Sequence, residues 1–351
     1  MRPLLDAHFP DLPHAAALIG PGSEVLGFDT EMSMDHDWAP NVVLFLRDQD
    51  AGLKAPIKET LAEQLPHLFQ GFPVDSVPFP DEPETRVMAP RSEGPVQHSV
   101  YPQTLRAFAR RWLAWEPDQP LEPADWLTFP SQVLRSVTAG AVHHDGTGEL
   151  SAFRRRLAWV PHDVWLYLLA AGWQRIGQEE HLMPRAGFVG DELGSAVIGA
   201  RLVRDIMNLC FLMERQYAPY PKWYGSAFRQ LSCAADLAPI LWRAQQAATW
   251  QVRETALGEA YETLARWHNH LGITEPLPEK VSNFHSRPFQ VIHGDRFANA
   301  LREQIADPAV RKIAERGLLG SINQFSDSTD LLSYVSWRPV LRKLYTKAAA
   351  T

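Results

Sequence analysis

Apolar positions follow two regimes along the chain. From residue 15 to 160, short runs of β-type residues alternate with Pro and Gly breaks, whereas 160–270 is dominated by long runs of helical character. Ala15 to Ile19 and Asn41-Val42-Val43-Leu44-Phe45-Leu46 predict strands, Ile57 to Leu68 an amphipathic helix, and Val96 to Tyr101 another strand. The Pro-rich, acidic stretch 73–95 predicts an extended loop, since proline cannot donate to a ladder. Ala139 to Leu150 reads as a strand, a Gly-rich turn and a following segment, a hairpin pattern. Beyond it, Pro161-His162-Asp163 opens a helix that Asp163 can cap. A second helix, apolar almost all round and therefore expected to be buried, runs from Leu193 to Gln216. Further helices are expected near 226–250 and 252–270, with a last strand at Arg287 to His293 and a helix at 295–305. Strands mixed with helices, then helices alone, define an α+β chain, divided here into domains 1–158 and 159–351.

Composition narrows the class. The 351 residues are 45% hydrophobic and 21% charged, which excludes a disordered, collagenous or coiled-coil chain. A net charge of −7 disfavours bulk nucleic-acid binding but leaves room for a local phosphate pocket. Two cysteines, Cys210 and Cys233, give neither a disulfide framework nor a thiolate metal site. With no signal-type leader and no apolar run of membrane-spanning length, a cytoplasmic protein with no membrane partner is expected.

The segment richest in chemistry runs from Gly22-Ser23 to Asp35-His36-Asp37. Gly-Ser occurs at four places, and only this one is followed within fifteen residues by Asp-x-Asp. Alternation along a strand would place Asp35 and Asp37 on one face, where two carboxylates suit Mg²⁺. Gly22 permits close backbone approach, and the Ser23 hydroxyl with nearby N–H groups can hold phosphate oxygens. These pieces fit a nucleoside triphosphate; a turn carrying a solvated acidic loop fits the same spacing. In the helix 193–216, Arg201, Arg204, Asp205 and Asn208 form one polar stripe, either an internal Arg–Asp network or a cavity wall whose arginines meet phosphate. Lys222 follows on a Pro-containing turn beside Tyr220 and Trp223.

Gly-Ser, eleven residues, then Asp-His-Asp leading into a hydrophobic strand resembles the signature of the nucleotidyltransferase (polymerase-beta-like) superfamily. The chain more closely resembles DUF4037, a bacterial family placed in it, through Ser33-Met34-Asp35-His36-Asp37-Trp38, Gly190-Asp191-Glu192-Leu193-Gly194-Ser195 and Glu214 to Trp223, motifs spread over residues 15–345. The resemblance implies a nucleotidyltransferase-like small mixed sheet with helices, followed by a mainly helical domain. It also implies Mg²⁺ held by Asp35, Asp37 and a third acid, an NTP substrate, ATP being the expected one, and transfer of a nucleotidyl group to a small-molecule acceptor. The strand 96–101, where the third acid is expected, has none; Asp145 is assigned in its place, with Glu149 and His98 behind it. Superfamily precedent makes Tyr220 and Lys222, then Arg201 and Arg204, triphosphate contacts. The alternative is a non-catalytic nucleotide-binding or protein-interaction module on the same fold. An antitoxin-like enzyme modifying a protein fits the length less well, and the ligand set of a His/Asp metal phosphohydrolase is missing.

Overall fold

The computed structural model describes residues 1–34, 38–79 and 81–346. Contacts divide the chain into two compact units, Met1–Pro120 with Val133–Ala158, and Leu121–Gln132 with Trp159–Thr351. The first unit is α+β and the second largely helical.

The first unit is built on a four-stranded sheet of β1 (His14–Leu18), β2 (Asn41–Leu46), β7 (Ser99–Thr104) and β8 (Ala141–Asp145), in the order β7-β2-β1-β8. β1 runs antiparallel to β2 and β8, and β2 is parallel to β7, with Asn41 opposite Ser99 and Leu46 opposite Thr104. The unbroken apolar run of β2 follows from burial on both faces. Leu44, Leu46 and Val100 pack with Leu5 of α1 (Arg2–His8) and with Ile57 and Leu61 of α3 (Lys54–Gln64). On the other face Phe45 meets Phe108 of α4 (Leu105–Leu113) edge-on at 5.3 Å, and Phe108 meets Phe153 of α7 (Glu149–Leu157) at 6.2 Å. The short helix α2 (Ser23–Leu26) follows β1, and α6 (Ser131–Thr138) precedes β8.

Three expectations need correction here. The stretch 73–95 contains a hairpin, β5 (Ser76–Phe79) with β6 (Glu82–Met88), beside a smaller one of β3 (Leu68–Phe69) and β4 (Phe72–Pro73). Two-stranded ribbons are all edge, so Pro78 opposite Arg86 costs no ladder bond that a central strand would need. The third strand begins at Ser99 instead of Val96, which is buried and donates its N–H to Ala62 O. The Gly-rich turn after β8 leads into α7 instead of a returning strand, because the Asp145 carboxylate accepts the N–H groups of Gly148 and Ser151 and so caps that helix.

The second unit starts with α5 (Pro123–Thr128) and continues from α8 (His162–Glu179) through α9 (Leu182–Phe188), α10 (Glu192–Met213), α11 (Pro221–Phe228), α12 (Ala234–Gln246) and α13 (Trp250–His270). A two-stranded ribbon, β9 (Ser282–Phe284) and β10 (Arg287–Val291), leads to α14 (Gly294–Glu303), α15 (Pro308–Glu315), α16 (Ile322–Phe325), α17 (Thr329–Ser333) and α18 (Arg338–Thr346). α14 lies directly against α8. A Cβ on Gly294 would sit 2.5 Å from Trp173 O, and Trp173 stacks on Phe297 at 4.1 Å. Asp163 does not cap α8; its carboxylate accepts the N–H of Ala306 at 2.7 Å and that of Asp307. Nor is α10 buried all round: Leu193, Val197 and Arg201 are exposed along one side, and Leu202, Ile206 and Leu209 fill the core from the other. Cys210 and Cys233 are buried free thiols, and burial raises the Cys210 thiol well above its ordinary value. Among the described residues, no helix is long and apolar enough to cross a membrane.

Glu180, at the end of α8, is buried and accepts the N–H groups of Ile292 (2.6 Å) and Gly294 (3.0 Å). Burial outweighs these bonds and raises its carboxyl from the ordinary 4.5 to about 7. A folded-state value above the unfolded one means that the stabilisation is complete below about pH 4.5 and is lost as pH rises towards 7. At ~1.4 kcal/mol per pH unit the loss is roughly 3 kcal/mol. Urea titrations across this window are expected to show the wild type declining relative to Glu180→Gln, which has no proton to lose. Parallel pH profiles for the two proteins would refute the assignment.

Candidate functional site in the first unit

Past the end of β1, the chain turns through Gly20-Pro21-Gly22 into α2. Gly22 adopts φ 149°, a conformation L side chains rarely take, and a Cβ there would lie 2.4 Å from Glu24 Oε1. Glycine at this position therefore lets the Glu24 carboxylate fold back over the turn. There Glu24 Oε1 accepts a hydrogen bond from Asn41 Nδ2 at 3.2 Å, tying the turn to the first residue of β2.

A cavity of about 750 Å³ opens beside this turn. Its floor is one face of the β2–β7 pair, where alternation brings up Asn41, Val43, Ser99, Tyr101 and Gln103. Ile19, Gly20, Pro21 and Glu24 form one wall, Trp38 and Ala39 another, and Phe108, Arg111 and Trp112 of α4 a third. Lys54 and Lys58 reach it from the first turns of α3, and Ser76 and Arg86 from the β5–β6 hairpin. The volume is that of a small-molecule site.

Its electrostatics are lopsided. Arg86 is engaged by Ser76 Oγ (3.1 Å) and Gln97 Oε1 (2.6 Å). Lys54, Lys58 and Arg111 have no carboxylate partner among the described residues, and Arg111 lies 5.4 Å over the Trp112 ring. Glu24 is the one acidic residue among the described lining residues. Three cations facing one partly apolar cavity can take a polyanion whose remaining body packs on Trp38, Tyr101 and Trp112.

The sequence candidates are distributed as follows. Asp35 and Asp37, with His36 between them, lie outside the described residues. The chain enters them from a short 3₁₀ turn, Glu31–Met34, and leaves them at Trp38, which lines the cavity. Gly22 and Ser23 are not among the residues lining the cavity, although their neighbours Pro21 and Glu24 are. Asp145 is not brought to them: it pairs with Ala15 near the start of β1, whereas Gly22 follows that strand's other end. Burial raises its carboxyl, but the bonds from Ser151, Gly148 and Thr147 prevail and hold it below the ordinary value. Glu149, next to this turn, opens α7. His98 is also committed, since Nδ1 accepts from Val100 N–H at 3.1 Å and Nε2 therefore donates to Lys58 O at 3.0 Å. Among the described residues, no three His, Cys, Asp or Glu side chains converge to hold a metal.

The remaining candidates belong to the second unit. Arg201 Nε donates to Glu179 at 2.9 Å, Arg204 pairs with Asp327, and buried Asp205 faces Arg175 at 3.5 Å. Burial raises the Asp205 carboxyl from the ordinary 3.8 to about 6. Asn208 accepts from Tyr224 Oη at 2.8 Å. Thus the stripe on α10 is an ion-pair network, and its arginines also line a second, smaller cavity of about 300 Å³. Tyr220 Oη accepts from Trp223 Nε1 at 2.8 Å, and Lys222 lies 5.0 Å from the Trp223 ring. Asp191 accepts from Gly194 N–H at 2.7 Å and caps α10.

The sequence reading missed Glu24, Lys54, Lys58 and Arg111. Lysines four apart on a helix have the pattern of any solvated face. Only the pairing of β2 with β7 and the packing of α4 make them converge on one cavity.

The chain is thus an α+β protein with a cationic small-molecule cavity in its first unit and a largely helical second unit. Residues 126–224, from α5 into α11, match the family described as "Domain of unknown function (DUF4037)". The motifs at 190–195 and 214–223 fall inside the match, and Ser33 to Trp38 falls outside it. The chain is similar to a solved structure, the nucleotidyltransferase-like protein from Exiguobacterium sibiricum 255-15, at 12% identity and a TM-score of 0.33, over 89% of this chain and 90% of that one. No protein of curated function matches the chain.

Proposed function

We propose that the first unit binds a nucleoside triphosphate, ATP being the expected one, and transfers its nucleotidyl group to a small-molecule acceptor with Mg²⁺ held by Asp35 and Asp37. The observation that carries this reading is the set of Lys54, Lys58 and Arg111, free of acidic partners among the described residues, around one cavity beside the Gly20–Glu24 turn. Charge-assisted bonds from these cations would fix the triphosphate, and Trp38, Tyr101 and Trp112 offer surface for the base. In the reaction an acceptor oxygen attacks the α-phosphorus, the bond to the β-phosphate oxygen breaks, pyrophosphate leaves and the acceptor's proton passes to solvent. Bound Mg²⁺ would supply neutralisation of the charge developing at the α-phosphate. Glu24 lines the same cavity and is our candidate for the acid missing from the third strand.

A second reading, nucleotide binding without turnover, draws support from the commitment of Asp145 and His98 to structural bonds. Thermal shift with each NTP, with and without Mg²⁺, tests both readings against Asp35→Asn/Asp37→Asn. A ligand at a hundred times its Kd stabilises by about 2.7 kcal/mol, enough to register without knowing the acceptor. A Mg²⁺-dependent shift that the double variant loses supports the site, and pyrophosphate release on screening acceptors then separates enzyme from binder. No shift with any NTP would remove both.

A further inference from the structure

The second unit holds a cluster of three arginines that the proposed transfer does not use. Arg175 on α8 and Arg201 and Arg204 on α10 line the cavity of about 300 Å³, together with Gln178 and Asp327. Their hydrogen bonding is incomplete. Arg175 Nε is shielded from solvent with no partner among the described residues, and its terminal nitrogens reach Gln178, Glu179 and Asp205 only at 3.4–3.5 Å. Arg201 is tied to Glu179 through Nε. A shielded guanidinium N–H without an acceptor leaves its desolvation cost unrecovered, which marks a place for a ligand atom or water.

The carboxylates around the cluster differ in kind. Glu179 and Asp205 have side chains only 11% and 6% exposed, Glu179 outside the cavity lining and Asp205 within it. Asp327, on the link between α16 and α17, is 76% exposed and meets Arg204 from the cavity side. It holds its carboxylate where an external anion would have to bind.

We propose that Arg175, Arg201 and Arg204 form a binding site for an oxyanion of the phosphate class, which the Asp327 carboxylate fills in its absence. Planar guanidinium forks match tetrahedral oxyanions, and a cavity at the small end of ligand sites suits phosphate or pyrophosphate and not a whole nucleotide. Displacing Asp327 leaves three cations facing two buried carboxylates, a net positive cage. The site stands on second-unit residues alone and does not depend on the proposed transfer.

Calorimetric titration of the full chain with inorganic phosphate, and separately with pyrophosphate, tests this. Arg201 and Asp327 are at least half exposed, so Arg201→Gln and Asp327→Asn leave the fold intact. Saturable binding of one or both anions is expected, weakened roughly tenfold in Arg201→Gln. Asp327→Asn should bind several-fold more tightly, because a competing closed state has been removed. Lys54→Ala/Arg111→Ala, altered only in the first unit, should lose any anion binding in that unit's cavity and keep the component that Arg201→Gln weakens. The tighter-binding anion of the two identifies the ligand. The proposal falls if neither anion binds saturably up to about 10 mM, where a site of millimolar Kd would register. It also falls if both second-unit variants bind like the wild type, or if binding is lost in Lys54→Ala/Arg111→Ala, which would put the anion in the first unit.

Discussion

Replacing Asp125 with alanine is expected to destabilise the second unit by about 3–5 kcal/mol, the usual cost of leaving a buried charge without its partner. The Asp125 and Arg338 side chains are 3% and 7% exposed and form an ion pair across 213 residues of sequence, joining α5 to α18. Arg342 also reaches Asp125, and it bonds Glu122 at 2.8 Å. The other Asp125 oxygen accepts Glu122 N–H at 2.8 Å, so the same side chain caps its own helix. Without it, Arg338 loses the Asp125 carboxylate, while the Thr128 hydroxyl at 3.3 Å and the face of Phe129 at 4.3 Å carry no formal charge to replace it. Deprotonation offers no escape, since burial lowers the guanidinium only to about 10, still far above neutral pH. Urea unfolding of Asp125→Ala beside the double variant Asp125→Ala/Arg338→Met separates the cost of a stranded charge from the worth of the pair. The double variant should regain a large part of the lost stability, because the buried Arg338 charge is gone, while Glu122 N–H still lacks its cap. A loss below about 1 kcal/mol in the single variant would show that the pair is solvated and weak.

That pair also shows where the sequence stops being legible. Elements fixed by local pattern could be read: the β2 run, and the helix at 57–68 to within a few residues. Features that depend on contacts distant in sequence could not. Asp163 has the position of an N-cap, yet its carboxylate is taken by backbone 143 residues away, which only the packing of α15 on α8 reveals. The arginine stripe on α10 was legible as a stripe, while its partners Glu179 and Asp327 come from elsewhere in the fold. In the first unit, proline density in 73–95 argued for a loop because it marks interrupted ladders; a ribbon that is all edge has the same composition. Asp145 looked like a spare acid, but three residues on from it the chain turns into a helix whose first N–H groups need an acceptor.

The cavity of the first unit yields the second large effect, because its cations are the part of the proposed nucleotide site whose positions are described. Lys54→Ala/Arg111→Ala is expected to weaken NTP binding by about a hundredfold or more. A hydrogen bond to a charged group contributes roughly 1.5–3 kcal/mol, or about ten- to a hundredfold per cation removed. The two residues approach from different elements, α3 and α4, and neither has an ion-pair partner among the described residues, so their removal strands no carboxylate there. The loss should therefore appear in affinity while the unfolding midpoint without ligand stays put. Two controls give the result meaning. Raising the salt concentration should weaken wild-type binding more steeply than that of the variant, since fewer charges remain to be screened. The Mg²⁺-free component of binding should fall with the cations, whereas Asp35→Asn/Asp37→Asn should remove only the Mg²⁺-dependent component, because phosphate attraction and metal holding reside in different residues. A double variant that binds NTP within about threefold of the wild type, at unchanged stability, would mean that the cations face solvent and not a triphosphate.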